Sequence, residues 1–389
     1  MSRRIAILTH STNPRGGVVH AMQLADALHA RGEDVTLLAP ALPGRDFPRR
    51  PACRRLLIPA VPVEGTVGMV RTRIAEIAAF LAAPGAPLFD LLHAQDPISG
   101  NALADLVAAG RIESFNRTVH HLDAFTDPDL AAWQDRAVRS AQNLFCVSGV
   151  WQRRIAAEFG RTPVIVGNGV DRDRFTSRPD GRDAALRATL APGPGPLFLA
   201  LGGIEARKNI LAVLDAFLLL RRARPDARLL VAGGATLLDH AGTRSAFTAR
   251  LDESGAAGSV LLGGVVADAD MPGLYRIADA LLSVSQAEGF GLCAIEAMAC
   301  GVPVIVSDIA PFTEHLRRDE ALWADPDDPA GIAAAMRTVL DPMVAARLRA
   351  AGLGAASRFD WQAVASAHAG LYDLPPLDPV SAHGVVVHA

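Results

Sequence analysis

SQAEGFGLCAIEAMACGVPVIVSD, residues Ser285–Asp308, is the stretch on which the reading of this chain turns. An apolar run, Ala280–Val284, leads into it and reads as a strand. A Gly-Phe-Gly turn follows at 289–291, a helix is expected from about Leu292, and a second apolar strand is expected at Pro303–Ser307. Gly289 and Gly291 permit close approach of the backbone to a ligand. The start of the helix presents free amides and a partial positive charge, which suits an anion such as a diphosphate. Glu288 could accept hydrogen bonds from sugar hydroxyls, and Glu296 from ribose hydroxyls. Taken alone, the same residues also fit a plain strand–turn–helix with two solvent-facing glutamates.

The pattern around this stretch is the same from end to end: short apolar runs alternate with longer amphipathic ones, which predicts an α/β protein with parallel sheets. In the first half, strands are expected at Arg4–His10, Asp34–Pro40, Arg55–Pro59, Leu91–Ala94, Arg117–His121, Asn143–Ser148 and Pro163–Gly167. Several are continuously hydrophobic, as strands covered on both faces are. Helical spacing fills the gaps, as at Val18–Ala30, Arg71–Ala82, Ile98–Ala109 and Trp151–Phe159. After a charged stretch and then APGPGPL, a second alternation begins, with strands at Leu197–Leu201, Arg228–Ala232 and Val260–Leu262 before the stretch quoted above. Two doubly wound halves imply ligand at the carboxyl ends of the strands. The expected division is 1–172, a connection at 173–195, and a second domain at 196–358. A helix at 359–373 and a loose tail at 374–389 follow.

Composition narrows the function classes. With 389 residues, 50% of them hydrophobic, the chain has ample material for two cores. A net charge of −3 argues against a general nucleic-acid binder. No apolar run approaches the roughly 18 residues of a membrane-spanning helix. MSRRIAILTH reads as a strand and not as a signal peptide. Cys53, Cys146, Cys293 and Cys300 show no paired spacing, which fits a reducing cytoplasm. The 38 basic residues are 37 arginines and the single Lys208. That singularity draws attention to its position.

Glu288 and Glu296, with seven residues between them, sit in EGFGL…EAMACG.PVI.SD, which resembles the donor-site segment of the retaining glycosyltransferases of family 4. The resemblance extends to about Tyr372 and implies the GT-B fold: two Rossmann-like doubly wound parallel-sheet domains facing a cleft. It implies that Glu288 contacts the transferred sugar, that Glu296 holds the nucleotide ribose, and that the amides of Phe290, Gly291 and Leu292 lie near the distal phosphate. ALGGIEARKNI, Ala200–Ile210, resembles the family's first strand and turn of the C-terminal domain, where an arginine and a lysine bracket the diphosphate. Lys208 falls on the family lysine. A positioned ammonium stabilises the charge that develops on a leaving diphosphate more than it stabilises the bound donor. Gly203 stands where the family usually has arginine, and Arg207 is the nearest residue to restore that charge. Lys208 is expected to project into the cleft with little core packing; a lysine capping a solvated loop is the alternative.

Further matches lie in the first half. Gly16 and Gly17, in HSTNPRGGVVHAMQL, resemble the family's glycine-rich loop facing the diphosphate and acceptor. In RTVHHLDAF, His120 matches the family histidine that touches the donor sugar, His121 is its neighbour, and Asp123 could orient either ring. A structural histidine at a strand end remains open. Asn168, in VIVGNGVDRDRF, resembles the family's Asn-Gly-Val-Asp segment and could reach the cleft, or could simply end a strand in an Asn-Gly turn.

The resemblance implies transfer of a sugar from a nucleotide-diphosphate sugar to an unknown hydroxyl acceptor, with retention and without metal or other cofactor. Asp-x-Asp occurs at 127/129, 171/173, 268/270 and 325/327, mostly beside predicted helix starts, where aspartate caps amides. No metal is assigned to them. Arg45, Arg49, Arg50, Arg54 and Arg55 form a basic, proline-broken loop, read as a solvated loop and open to weak contact with an anionic acceptor or the inner face of a membrane. Two rival readings stand beside the transferase: a catalytically silent nucleotide-sugar binder, motivated by Gly203, and a nucleotide-sugar epimerase.

Overall fold

A computed structural model describes residues 3–234 and 240–372. Two compact units divide the chain: one runs to Gly169 and resumes at Asp360, and the other is Val170–Phe359. In the first, β1 (Arg4–Leu8), α1 (Gly16–Ala30), β2 (Asp34–Ala41), β3 (Arg54–Pro59), α2 (Thr66–Ala82), β4 (Leu91–Ala94) and α3 (Pro97–Ala108) come in turn. Then follow β5 (Asn116–Val119), α4 (Pro128–Ser140), β6 (Asn143–Cys146), α5 (Gly149–Phe159) and β7 (Val164–Ile165). The seven strands are parallel in the order β3-β2-β1-β4-β5-β6-β7. The order reverses between β1 and β4, the place where open α/β sheets leave a crevice at their carboxyl edge. Aspartates start two of these helices: Asp96 accepts from the Ser99 amide and Asp127 from the Asp129 and Leu130 amides, each with proline in the first turn.

The second unit starts with α6 (Asp183–Leu190), β8 (Leu197–Leu201), α7 (Ile210–Arg221), β9 (Arg228–Ala232), α8 (Ala241–Ser254), β10 (Val260–Gly264) and α9 (Met271–Arg276). It continues through β11 (Ala280–Ser283), α10 (Leu292–Ala299), β12 (Val304–Ser307), α11 (Phe312–His315), β13 (Leu322–Ala324), α12 (Pro329–Val339) and α13 (Pro342–Ala356). Its parallel order is β10-β9-β8-β11-β12-β13, with the reversal between β8 and β11. Phe198, Leu229 and Val231 from the sheet and Leu214, Phe217 and Met336 from the helices form its core.

Several local readings differ from the structure. β7 has two residues where five were expected, and β13, only three residues long, gave no period to read. The stretch 173–195, expected as a connection, lies within the second unit and is tied down there. Arg187 donates to the carbonyls of Ile277 (2.5 Å) and Gly195 (3.0 Å), Arg228 to that of Ala191 (2.6 Å), and Arg276 pairs with Asp183 at 2.8 Å. Guanidinium forks satisfy carbonyls that a Pro- and Gly-rich stretch cannot pair in a ladder. The tail expected at 374–389 lies outside the described residues.

The last helix, α14 (Trp361–Tyr372), belongs to the first unit and packs on α1. Trp361, Val364 and Ala365 join Val18, Met22 and Ala25 of α1 in one apolar cluster. A Cβ on Gly169 would come within 2.6 Å of the Trp361 nitrogen, so the chain passes under this helix at van der Waals distance only because residue 169 is glycine. Trp361→Ala should therefore destabilise the first unit by about 3–5 kcal/mol. Urea denaturation and loss of hydrogen-exchange protection in α1 will measure this.

Candidate active site

In the second unit, the carboxyl ends of β8 and β11 flank the reversal, and the loops that leave them carry the predicted residues. Gly202 (φ 114°), Gly203 (φ 74°) and Gly233 (φ 131°) hold left-handed or extended-positive backbone where L side chains are strained. A Cβ at Gly202 would lie 2.8 Å from Lys208 Cγ, so the lysine stem packs directly on that backbone. Asn209, also left-handed at φ 58°, is secured by side-chain donation to the carbonyls of Val284 (3.1 Å) and Pro326 (2.6 Å). The Gln286 amide donates to the Arg207 carbonyl at 2.9 Å. These bonds clamp the two loops together.

At the clamp, Lys208 Nζ lies 2.6 Å from Glu288 Oε1. Arg207 approaches Oε2 of the same carboxylate at 3.5 Å and donates to the Ala287 carbonyl at 3.1 Å. Ser285 Oγ adds a hydrogen bond to Oε1 at 2.8 Å, and Ser307 Oγ holds the Ser285 carbonyl at 2.6 Å. Glu288 is 8% exposed. Burial alone would raise its pKa, but the Lys208 and Arg207 charges outweigh that and hold it at about 2. Burial likewise opposes the Lys208 charge, and the Glu288 carboxylate overcomes it, so the ammonium titrates above its ordinary value. The expectation that Lys208 projects into a cleft with little packing needs correction: its stem is packed and its ammonium is committed to a buried carboxylate. Gly203 carries no charge, and a Cβ there would sit 3.3 Å from the carbonyl oxygens of Gly233 and Gly234.

After Gly289, the turn buries Phe290 against the His315 ring, centroids 4.5 Å apart. Gly291 (φ 88°) has no room for a Cβ, which would lie 2.3 Å from the Phe312 ring. Leu292 then opens α10. Glu296, on this helix, accepts a 2.6 Å hydrogen bond from the Tyr275 hydroxyl.

In the first unit, Gly16 begins α1, and a Cβ on Gly17 would meet the His120 ring at 3.3 Å. His120, just beyond β5, has Nε2 3.0 Å from Gln95 Oε1 and stacks edge-on to His20 at 4.7 Å. His20 Nδ1 lies 2.5 Å from Asn168 Oδ1, so Asn168 is buried against α1. Gly17, His120, His20 and Asn168 thus form one cluster. Asp123 lies 3.3 Å from the His121 ring nitrogen Nε2.

Several of the Asp-x-Asp residues serve local structure. Asp127 caps α4, Asp129 pairs with Arg71 at 2.9 Å, Asp268 pairs with Arg174 at 2.9 Å, and Asp327 accepts from Gln286 at 2.7 Å. Among the described residues, no group of three or more His, Cys, Asp or Glu is placed to hold a metal, and no helix is long and apolar enough to cross a membrane. In the basic loop, Arg55 pairs with Asp46 at 2.7 Å, while Arg45, Arg50 and Arg54 are exposed.

Two parallel-sheet α/β units, each with a glycine turn beside its sheet reversal, define the class. The comparisons define the family. The model for "Glycosyltransferase Family 4" matches residues 14–174 and that for "Glycosyl transferases group 1" matches 182–351. A phosphatidyl-myo-inositol mannosyltransferase of Mycobacterium tuberculosis is 30% identical over 379 residues, covering 92% of this chain and 93% of that protein. A GDP-mannose:cellobiosyl-diphosphopolyprenol alpha-mannosyltransferase of Komagataeibacter xylinus is 32% identical over 223 residues, 57% of this chain and 52% of that protein. Sucrose-phosphate synthase from Thermosynechococcus elongatus superposes with a TM-score of 0.76 at 22% identity, covering 95% of this chain and 98% of that one. The chain belongs to the family 4 glycosyltransferases of GT-B fold, and it is a glycosyltransferase.

Sequence reasoning missed Ser285, Tyr275, Gln95 and His20. Ser285, three residues before Glu288 at a strand end, and His20, one helical turn after Gly16, carried positional signals; Tyr275 and Gln95 carried none. His20 (to about 4) and His368 (to about 3) are depressed mainly by burial, as are His93 and His120. All four are neutral in the fold and titrate near 6.5 when unfolded. As pH falls from 6.5 toward 4, the unfolded chain gains protons that the folded one refuses. The first unit should therefore lose about 1.4 kcal/mol per histidine per pH unit in that window. His368→Leu should flatten this slope by one proton's worth in a melting-temperature series.

Proposed function

We propose that the protein transfers a hexosyl group from a nucleoside-diphosphate sugar to a hydroxyl acceptor, with retention and without a metal. The observation that carries this is the Lys208–Glu288 pair at 2.6 Å, with Arg207 on the second carboxylate oxygen and the glycine turn to α10 immediately after it. Two cations and a helix start converge at the carboxyl edge of one sheet. A departing diphosphate gathers negative charge, and fixed cations and amides are the groups that stabilise it.

In this reading the bond from the anomeric carbon to the phosphate oxygen breaks and the acceptor oxygen bonds to the same face. The leaving phosphate oxygen takes the acceptor proton. Lys208 and Arg207 bind the diphosphate beside the amides of Phe290, Gly291 and Leu292, so Arg207 supplies the charge that Gly203 lacks. Glu288 holds the sugar hydroxyls and Glu296 the ribose. His120, a neutral imidazole, hydrogen-bonds the sugar, while Gly16 and Gly17 leave room for donor and acceptor. The relatives' names make GDP-mannose the first donor to test. The exposed arginines at 45, 50 and 54 suit a weak contact with an acceptor held at a membrane surface.

Incubation with GDP-mannose and simple mannosides should release GDP and yield a product whose anomeric configuration, read by NMR, matches the donor. The rate should be the same in EDTA. Recovery only on adding magnesium or manganese would overturn metal independence.

Lys208→Met should lower kcat by about a hundred- to a thousandfold. Because it also strands a buried carboxylate, it should lower stability, and Lys208→Met/Glu288→Gln should recover the stability without the turnover. Lys208→Arg should recover only part of the rate, since a planar fork does not fit the space of an ammonium. Near-normal turnover in the single variant would refute the assignment of the donor site.

A further inference from the structure

Glu296 is the residue proposed to hold the nucleotide ribose, but a carboxylate on a helix does not choose a direction by itself. Its χ angles are soft, and a diol is read well only when the carboxylate plane is held in one orientation. The structure supplies a restraint. Tyr275, on α9, is fully buried and donates its hydroxyl to Glu296 Oε2 at 2.6 Å. The ring is fixed in turn, edge-on to Phe175 with centroids 5.9 Å apart. A phenol on a rigid ring reaches from one helix to the next with only two torsions to order.

We propose that Tyr275 is a positioning residue for ribose recognition: it anchors one oxygen of Glu296 so that the carboxylate meets the 2′- and 3′-hydroxyls of the donor nucleotide in a fixed orientation. Tyr275 does not touch the ligand; it acts through Glu296. Its phenol is also suited to be a permanent donor. Burial first, then the neighbouring Glu296 charge, pushes its ionisation well above the ordinary tyrosine value, so the O–H persists across the working pH range. The proposal rests on the donor-site reading above and adds how ribose is told from deoxyribose.

The test compares GDP and UDP with their 2′,3′-dideoxy forms by titration calorimetry, on the wild-type chain, Tyr275→Phe and Glu296→Ala. Phenylalanine keeps the ring and its packing, so the melting temperature should stay close to wild type. For whichever diphosphate binds the wild type, Tyr275→Phe should weaken the ribose form by about tenfold, from the loss of one charge-assisted hydrogen bond. The dideoxy form should bind unchanged. Discrimination should collapse in the same way in Glu296→Ala. With GDP-mannose as donor, KM should rise and kcat should hold in Tyr275→Phe. Equal weakening of ribose and dideoxy forms, or discrimination intact in Tyr275→Phe while lost in Glu296→Ala, would overturn the positioning role alone. Discrimination intact in Glu296→Ala, or binding of neither diphosphate by the wild type, would instead overturn the donor-site reading on which it stands.

Discussion

A carboxylate taken almost out of water is the constraint around which the second unit is arranged. Removing a charge from solvent is costly unless fixed partners replace the lost hydration. Glu288 therefore needs Lys208, Arg207 and Ser285 where they are. The two loops that carry them lie 80 residues apart in sequence, and the bonds from Asn209 to Val284 and from Gln286 to Arg207 hold them in register. The same arrangement fixes two cations, Lys208 and Arg207, beside a glycine turn, with Glu288 and Glu205 as their carboxylate partners. Under the proposed function, these fixed groups would serve a leaving group that becomes anionic without having to reorganise.

The glycines explain how so much polar chemistry fits at one sheet edge. Gly202 lets the Lys208 stem lie on the backbone, and Gly291 lets α10 begin against the Phe312 ring. Gly203 is more instructive. Its φ of 74° and the carbonyls of Gly233 and Gly234 at 3.3 Å from a notional Cβ make a side chain there unfavourable in this chain. The second cation beside the Glu288 carboxylate is Arg207, four residues further along.

The first unit solves a different problem. His20, His93 and His368 are fully buried, and His120 stacks on His20. Hydrogen bonds from His20 to Asn168, His93 to Tyr372 and Thr118, His120 to Gln95 and His368 to the Val364 carbonyl replace water while leaving the rings uncharged. His368 and Tyr372 come from α14, the last described helix, so this polar cluster is completed only when α14 docks on α1. A unit held this way has its stability coupled to histidine protonation.

Strand and helix periodicity, the glycine turns, the placement of Glu288, Lys208 and His120 beyond strand ends and that of Glu296 on the helix that follows were legible in the sequence, because each is a local consequence of neighbouring residues. The alternation of short apolar runs with amphipathic helices determined two parallel sheets, and the order of those runs determined which loops leave their carboxyl ends. Partnership was not legible. That Lys208 is bound to Glu288, that Tyr275 holds Glu296, that Asp123 faces His121 and that 173–195 is stapled into the second unit by Arg187, Arg228 and Arg276 are decided only when distant segments pack. The physical reason is that periodicity reports which face of an element is dry, whereas pairing depends on the few ångströms between side chains that only the closed fold brings together.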